Sequence, residues 1–322
     1  MKIAVIDDYQ RVAQGMADWS VLSGCEVDFF HQTLRAPDEL VARLASYDVI
    51  VAMRERTRFP RDILQALPAL RLLVTTGMVN RSIDLAAARE RGIVVCGTPW
   101  AEDATVELTW ALILGLAHAV PQEDASLRAG RWQSALGTSL AGKTLGVVGL
   151  GTIGGKVARI GQAFGMRVIA YSPHLTQERA DTVGATAVGK QALFAESDVV
   201  SVHMILSDAT RAMVGADEIG HMKGSAFLVN TARGPLVDEA ALASALRERR
   251  IAGAALDVYS HEPIDPAHPL LHAPNTILTP HIGYVTHEVY RAWYGAVVED
   301  ILAYRAGQPI RRIEIAPLPR SP

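Results

Sequence analysis

Cysteine is almost absent, with two residues in 322, Cys25 and Cys96. They lie far apart and outside any CxxC or Cys/His ligand spacing, so both read as buried small hydrophobes and no metal site is expected. An excess of charge is missing too: 31 Lys and Arg face 34 Asp and Glu, a net charge of −3. That speaks against a nucleic-acid surface or a polybasic membrane patch. The longest apolar stretch, around Trp110 to Val120, is interrupted by Gly115 and His118 and is too short to cross a bilayer. Met1-Lys2 leads straight into Ile3-Ala4-Val5-Ile6, a strand start and not a secretory signal, so a cytoplasmic location is expected. Solenoid repeats and low-complexity tracts are also lacking.

What is present is ordinary globular material, 49% hydrophobic and 20% charged, in a chain long enough that two domains are expected. The first third alternates short apolar runs with helix-period segments. Strands are expected at Ile3–Ile6, Val27–Phe30, Val49–Ala52, Leu72–Val74 and Ile93–Val95, with helices such as Asp38–Leu44 and Ile83–Arg91 between them, the alternation of a parallel α/β sheet. A long apolar helix is expected from Ala104 to Ala119. A final helix, Val285 to Tyr304, has to pack somewhere, and returning to the first domain is economical.

The stretch Thr144 to His174 organises the rest. An apolar run, Leu145 to Val148, feeds Gly149-Leu150-Gly151-Thr152-Ile153-Gly154; a helical segment from Lys156 to Phe164 and a second apolar run, Arg167 to Tyr171, follow. In such a unit Gly149 turns the chain off the strand, Gly151 lets backbone approach a pyrophosphate, and Gly154 lets the helix pack on the sheet. With this strand, helix and strand around it, the glycine turn predicts dinucleotide binding. The acidic residue that would accept from the adenosine ribose is missing. Ser172 stands there, and with His174 and Thr176 it could donate to a 2′-phosphate, although no arginine is adjacent. The balance tips from NAD to NADP.

Three later segments end apparent strands with polar groups, at the edge where α/β sheets gather ligands. They are Asn230-Thr231-Ala232-Arg233-Gly234, Leu256 to Pro263, and Leu278-Thr279-Pro280-His281-Ile282-Gly283. Arg233, Glu262 and His281 are the candidates for chemistry. Singly each has a plain reading: a surface arginine, a solvated turn carboxylate, a satisfied loop histidine. Together, behind a dinucleotide turn, they suit hydride transfer at a carbinol carbon. A 2-oxo acid becomes a 2-hydroxy acid when hydride reaches C2 and a proton reaches its oxygen, which calls for a cation and an acid. Arg233 offers a permanently charged fork, about 1.5–3 kcal/mol per charge-assisted bond. His281 offers an acid–base group, a role that contributes about 10² to 10⁴ in rate. Glu262 would bond the far imidazole nitrogen, orient the ring and favour its protonated form. His203 ends a strand near the cofactor groove, with packing and contact equally open, and His261 is a rival base. His31, His118, His221, His268, His272 and His287 read as structural.

These segments resemble the D-isomer-specific 2-hydroxyacid dehydrogenase family: GLGTIG at Gly149–Gly154, NTARGPLVDEAAL at Asn230–Leu242, AALDVYSHEP at Ala254–Pro263 and TPHIG at Thr279–Gly283. The resemblance implies an α/β architecture with a Rossmann, doubly wound parallel-sheet cofactor domain at 99–289. It also implies a flavodoxin-like substrate domain from 1–98 and 290–322, and a homodimer formed through the cofactor domains. Carried over by position, Arg233 binds the substrate carboxylate, His281 is the acid–base and Glu262 its partner. Asp257 holds the nicotinamide carboxamide, Thr152 and Ile153 contact the pyrophosphate, and Thr231 and Ala232 lie along the nicotinamide. Thr105, Met204 and Thr210 sit where relatives touch the cofactor. In place of the family's glycine-rich substrate loop this chain has Thr76-Gly77-Met78-Val79-Asn80, where backbone N–H groups near Gly77 are expected to bind the carboxylate; the other substrate-facing loop reads Arg54-Glu55-Arg56-Thr57, and Tyr284 replaces a small residue. The expected activity is an NAD- or NADP-dependent dehydrogenase of a small D-2-hydroxy acid or 2-oxo acid, similar to glyoxylate and hydroxypyruvate reductases. Phosphite dehydrogenase and an NAD(H)-sensing protein of the corepressor type stay open as alternatives.

Overall fold

The computed structural model of the chain describes residues 1–34, 36–99 and 102–314. Val49-Ile50-Val51-Ala52 and Leu72-Leu73-Val74-Thr75 are buried along their whole length. Strands without polar alternation must be covered on both faces, which happens in parallel sheets flanked by helices. Here β1 (Lys2–Val5), β2 (Glu26–Phe29), β3 (Val49–Ala52), β4 (Leu72–Thr75) and β5 (Val94–Gly97) form a parallel sheet in the order β2-β1-β3-β4-β5. The helix Pro37–Leu44 starts on a proline and buries Leu40 and Leu44, while Asp84 caps the helix Leu85–Glu90 by accepting from the Ala87 N–H at 2.8 Å. Such a cap stabilises by about 1 kcal/mol.

The last helix, His287–Arg305, is capped by Thr286 and buries Val289, Tyr290, Trp293, Tyr294, Val297 and Ile301 on one stripe. Tyr294 packs on Trp19, and the Trp293 indole donates to the Pro99 carbonyl at 3.0 Å, so this helix belongs with the first sheet. Two compact units result, Met1–Ala101 with Val285–Pro322, and Glu102–Tyr284, and the divisions fall a few residues from the joins expected at 98/99 and 289/290. Cys96 is buried in β5, and burial pushes its thiol up to about 12. Cys25 is only half-buried, a correction to the expectation that both cysteines are core residues; it lies in the turn just before β2, ahead of the covered part of the sheet.

The second unit carries β6 (Thr144–Val148), β7 (Arg167–Tyr171), β8 (Thr186–Ala187), β9 (Val199–Val202), β10 (Phe227–Asn230), β11 (Gly253–Leu256) and β12 (Thr276–Leu278). They order as β12-β11-β10-β9-β6-β7-β8, every neighbouring pair parallel. The order reverses between β6 and β9, and ligands bind at the carboxyl ends of strands at such a switch point. The helix Asp103–Ala117 runs against β10, β11 and β12. It stops short of the expected Ala119 because that residue adopts a left-handed φ of 51°, after which the helix Val120–Arg128 departs at 60°.

Candidate active site

Gly149 follows β6 directly; its φ is +98°, and a Cβ there would lie 2.7 Å from the His203 carbonyl carbon. Only glycine meets both conditions. Gly154 answers to packing, since its Cβ would sit 2.1 Å from the Gly149 carbonyl oxygen. Gly151, the N-cap of the helix Thr152–Ala163, is different: nothing lies within 4 Å of the place a Cβ would take. The helix begins at Thr152, a turn earlier than expected, so Thr152, Ile153 and Gly154 form its first turn, and no side chain caps it. Open space over unused N–H groups at the positive end of a helix dipole suits a pyrophosphate, and these residues fit a dinucleotide.

Ser172 accepts from the Leu150 N–H at 3.2 Å, tying the end of β7 to the glycine turn and leaving its hydroxyl proton to donate. Thr176 caps a short helix by accepting from Arg179 N–H at 3.3 Å. Met204 lies directly beside Gly149. Thr210 is buried, accepting from the Ser207 N–H at 2.8 Å and donating to the Ile205 carbonyl at 2.7 Å, so its visible role is to hold its own loop. His203, part of which stays accessible, bonds Ser201 through Nε2 at 2.8 Å, and desolvation pushes its imidazole down to about 4. Its Nε2 bond ties the ring to its own strand.

The three candidate catalytic side chains rise from the ends of β10, β11 and β12. Asn230, fully buried at the end of β10, donates Nδ2 to the Arg233 carbonyl at 3.0 Å and accepts from the Ala232 N–H at 3.0 Å. This clasp sets the turn from which Arg233 projects. Thr231 shares a 2.8 Å hydroxyl bond with Thr109. After β11 the chain curls back so that Glu262 accepts the Tyr259 N–H on Oε1 at 2.8 Å and the His281 Nδ1 on Oε2 at 2.6 Å. His281 and Glu262 are 23% and 34% exposed at the side chain, so a substrate can reach them. With Nδ1 turned to the carboxylate, Nε2 is the nitrogen left for proton transfer.

His281 adopts a left-handed φ of 55°, a strained geometry that persists only when its surroundings enforce it. Asp257 enforces it. Its carboxylate, 1% exposed, accepts from Thr279 Oγ1 at 2.6 Å, the Ile282 N–H at 2.8 Å and the Gly283 N–H at 2.9 Å. Burial pushes the Asp257 carboxyl up against the pull of those bonds. One acceptor site of the four on a carboxylate is left for a carboxamide. Thr105 grips the same loop by donating to the Gly283 carbonyl at 3.0 Å, and the Tyr284 ring stands edge-on to the imidazole at 5.4 Å. Desolvation pushes the Glu262 carboxyl up, but the His281 bond and charge, the Tyr259 N–H and the Arg233 charge outweigh it and hold it below the ordinary carboxylate range. Arg233 is therefore electrically part of the same group.

Residues 110–283 match the NAD binding domain of the D-isomer specific 2-hydroxyacid dehydrogenases. The chain belongs to that family. A glyoxylate reductase of Aeropyrum pernix is 41% identical over 261 residues, covering 78% of each protein. A D-3-phosphoglycerate dehydrogenase of Archaeoglobus fulgidus is 36% identical over 314 residues, 97% of this chain and 58% of that longer relative. The crystal structure of a phosphoglycerate oxidoreductase from Vibrio cholerae O395 superposes with a TM-score of 0.91 at 36% identity, covering 95% of this chain and 99% of the other.

In this dehydrogenase-family chain two groups of the expected carboxylate loop in the first unit are already engaged. The Gly77 N–H already donates to Thr98 Oγ1 at 2.7 Å, and Thr76 is fully buried, its hydroxyl accepting from the Arg54 N–H at 2.9 Å and donating to Met53 Sδ at 3.3 Å. With these two spent inside the loop, the expectation rests on the other backbone N–H groups near Gly77. The Arg54 guanidinium lies across Gly77, 1.8 Å from where a Cβ would stand, and donates to the Thr76 carbonyl at 3.0 Å. His268, read as structural, bonds Glu239 through Nε2 at 3.1 Å, and Glu239 accepts from the Ser260 N–H at 2.6 Å. Its sequence signal was weak, because Glu239 and His268 are far apart in the chain and meet only through the curl after β11.

Proposed function

We propose that this chain is an NAD(P)H-dependent reductase of small 2-oxo acids, of the glyoxylate or hydroxypyruvate class, giving D-2-hydroxy acids. The observation that carries the reading is the 2.6 Å bond between His281 Nδ1 and Glu262, with the Arg233 charge acting on the same carboxylate. The nicotinamide supplies hydride when bound. Arg233 binds the substrate carboxylate and holds the acid in register, and His281 delivers the proton from Nε2 to the carbonyl oxygen. Glu262 stabilises the charged imidazole and keeps its ring from rotating, and Asp257 holds the loop that presents it. Steady-state turnover of a panel of 2-oxo acids with NADH and NADPH tests the reading. Cofactor binding without turnover of any of them would favour the sensor alternative.

We assign the coenzyme preference to NADP, on the missing carboxylate at the end of β7 and the hydroxyls of Ser172 and Thr176. Ser172→Asp is expected to shift the NADPH-to-NADH ratio of kcat/KM towards NADH by about tenfold or more, since a carboxylate there repels a 2′-phosphate. A wild-type enzyme already preferring NADH strongly would overturn this assignment.

The assembly we infer is a homodimer through the second unit. Between Val120 and Leu136 that unit exposes Val120, Leu127, Trp132 and Leu136, the last two 78% and 100% accessible. Large apolar groups presented in one short stretch point to a protein partner, and a second copy meets the family expectation. The double variant Trp132→Glu, Leu136→Glu is expected to sediment as a monomer with its melting temperature little changed; a dimer that survives it is built elsewhere.

A further inference from the structure

Tyr259 and Ser260 form the segment that delivers Glu262, and their two consecutive N–H groups go to two different carboxylates. The Tyr259 N–H donates to Glu262 itself at 2.8 Å, and the Ser260 N–H donates to Glu239 Oε1 at 2.6 Å. Glu239 is the first residue of the helix Glu239–Arg247, reached directly from the Arg233 turn. The side of Tyr259-Ser260 facing that turn touches it without a gap, because a Cβ on Gly234 would lie 2.0 Å from the Tyr259 carbonyl carbon and 2.4 Å from the Ser260 nitrogen. The peptide that sets Glu262 is therefore wedged between the backbone beside Arg233 and the carboxylate of Glu239.

Glu239 in turn is held by His268. The His268 Nδ1 accepts from the Leu270 N–H at 3.3 Å, so its proton sits on Nε2, which points at Glu239 Oε2 across 3.1 Å. The side chains of this pair are 22% and 11% exposed, far enough inside that an unpaired carboxylate oxygen would be costly. Asp238 caps the same helix by accepting from the Ala240 and Ala241 N–H groups, both at 3.0 Å, which leaves the Glu239 carboxylate for Ser260 and His268.

We propose that Glu239 and His268 are positioning residues for the reaction: together they lock the Tyr259-Ser260 peptide, and through it keep the Glu262 carboxylate aligned on His281 and in register with Arg233. Neither touches substrate. The kinetic part of this proposal rests on the reductase reading above, and the spectroscopic part stands without it.

The test uses the full-length protein and three variants, Glu239→Ala, His268→Ala and the double. Its first readout is the low-field proton resonance of the His281 Nδ1–H bonded to Glu262, assigned by its loss in His281→Asn. It is expected in the wild type, broadened or lost in Glu239→Ala and weakened in His268→Ala. Its second readout is kinetic: kcat for the best 2-oxo acid is expected to fall about tenfold in Glu239→Ala and about threefold in His268→Ala, with KM nearly constant, as for loss of alignment and not of binding. The double variant is expected to match Glu239→Ala, because His268 acts through Glu239. An unchanged resonance in a folded Glu239→Ala protein, or a double variant whose losses multiply, overturns the proposal. If the wild type turns over no 2-oxo acid, the reductase reading fails while the resonance alone still decides the positioning role.

Discussion

His281→Asn is expected to lower kcat for 2-oxo acid reduction by about 10² to 10⁴, the usual contribution of a positioned acid–base group. Asparagine is the informative replacement because the position adopts a left-handed φ of 55°, which asparagine tolerates and alanine does not. The loop should therefore keep its bonds to Asp257, and NADPH affinity measured by fluorescence should stay within a few-fold. Turnover within a few-fold of wild type would remove His281 from the role of proton donor. The acid side of the activity profile carries a second check. Because the Glu262 carboxyl is held below its ordinary range, its contribution is complete above the usual carboxylate pKa of about 4.3 and is lost only as the pH falls through the lowered value. A limb observed between about pH 5 and 8 does not come from Glu262, and Glu262→Gln should depress the plateau without moving that limb to higher pH.

Why this much could be read from residues alone becomes clear from particular segments. Val147-Val148 and Leu228-Val229 are buried on both sheet faces, so they appear in the chain as uninterrupted apolar runs, and their strands are legible. Gly149 and Gly154 are legible because sterics leave no alternative residue. Contacts between distant segments carry no such mark. Thr186–Ala187 is a strand only because it pairs with β7, and nothing in two residues announces it. Asp257 is legible as a polar residue at a strand end, while its grip on the Ile282 and Gly283 N–H groups depends on how β11 and β12 lie side by side. At the Gly77 loop, too, the sequence does not show that the Thr98 hydroxyl takes the Gly77 N–H. Backbone donors are spent by partners that spacing does not reveal.

Arg233→Ala is expected to cost about 3–6 kcal/mol in transition-state binding, about 10² to 10⁴ in kcat/KM, if the guanidinium makes two charge-assisted bonds of about 1.5–3 kcal/mol each. Arg233→Lys should recover only part of this loss, since an ammonium is a point charge and cannot span a carboxylate with two parallel donors. The substitution also has a local electrostatic consequence. The positive charge of Arg233 helps hold the Glu262 carboxyl down, so its removal lets that carboxyl rise and weakens the Glu262–His281 pair at mildly acidic pH. Arg233→Ala also removes the guanidinium's own bond to the Ala232 carbonyl at 2.8 Å, but the turn keeps the Asn230 clasp on its backbone. Substrate binding and turn geometry can then be separated by comparing a 2-oxo acid with an aldehyde of the same length that lacks the carboxylate. The aldehyde is a poor substrate with no anion for Arg233 to hold, and its slow reduction should be nearly indifferent to Arg233→Ala. An equal loss on both compounds would mean that Arg233 organises the site without recognising the carboxylate, and the assignment of a 2-oxo acid as substrate would lose its cation.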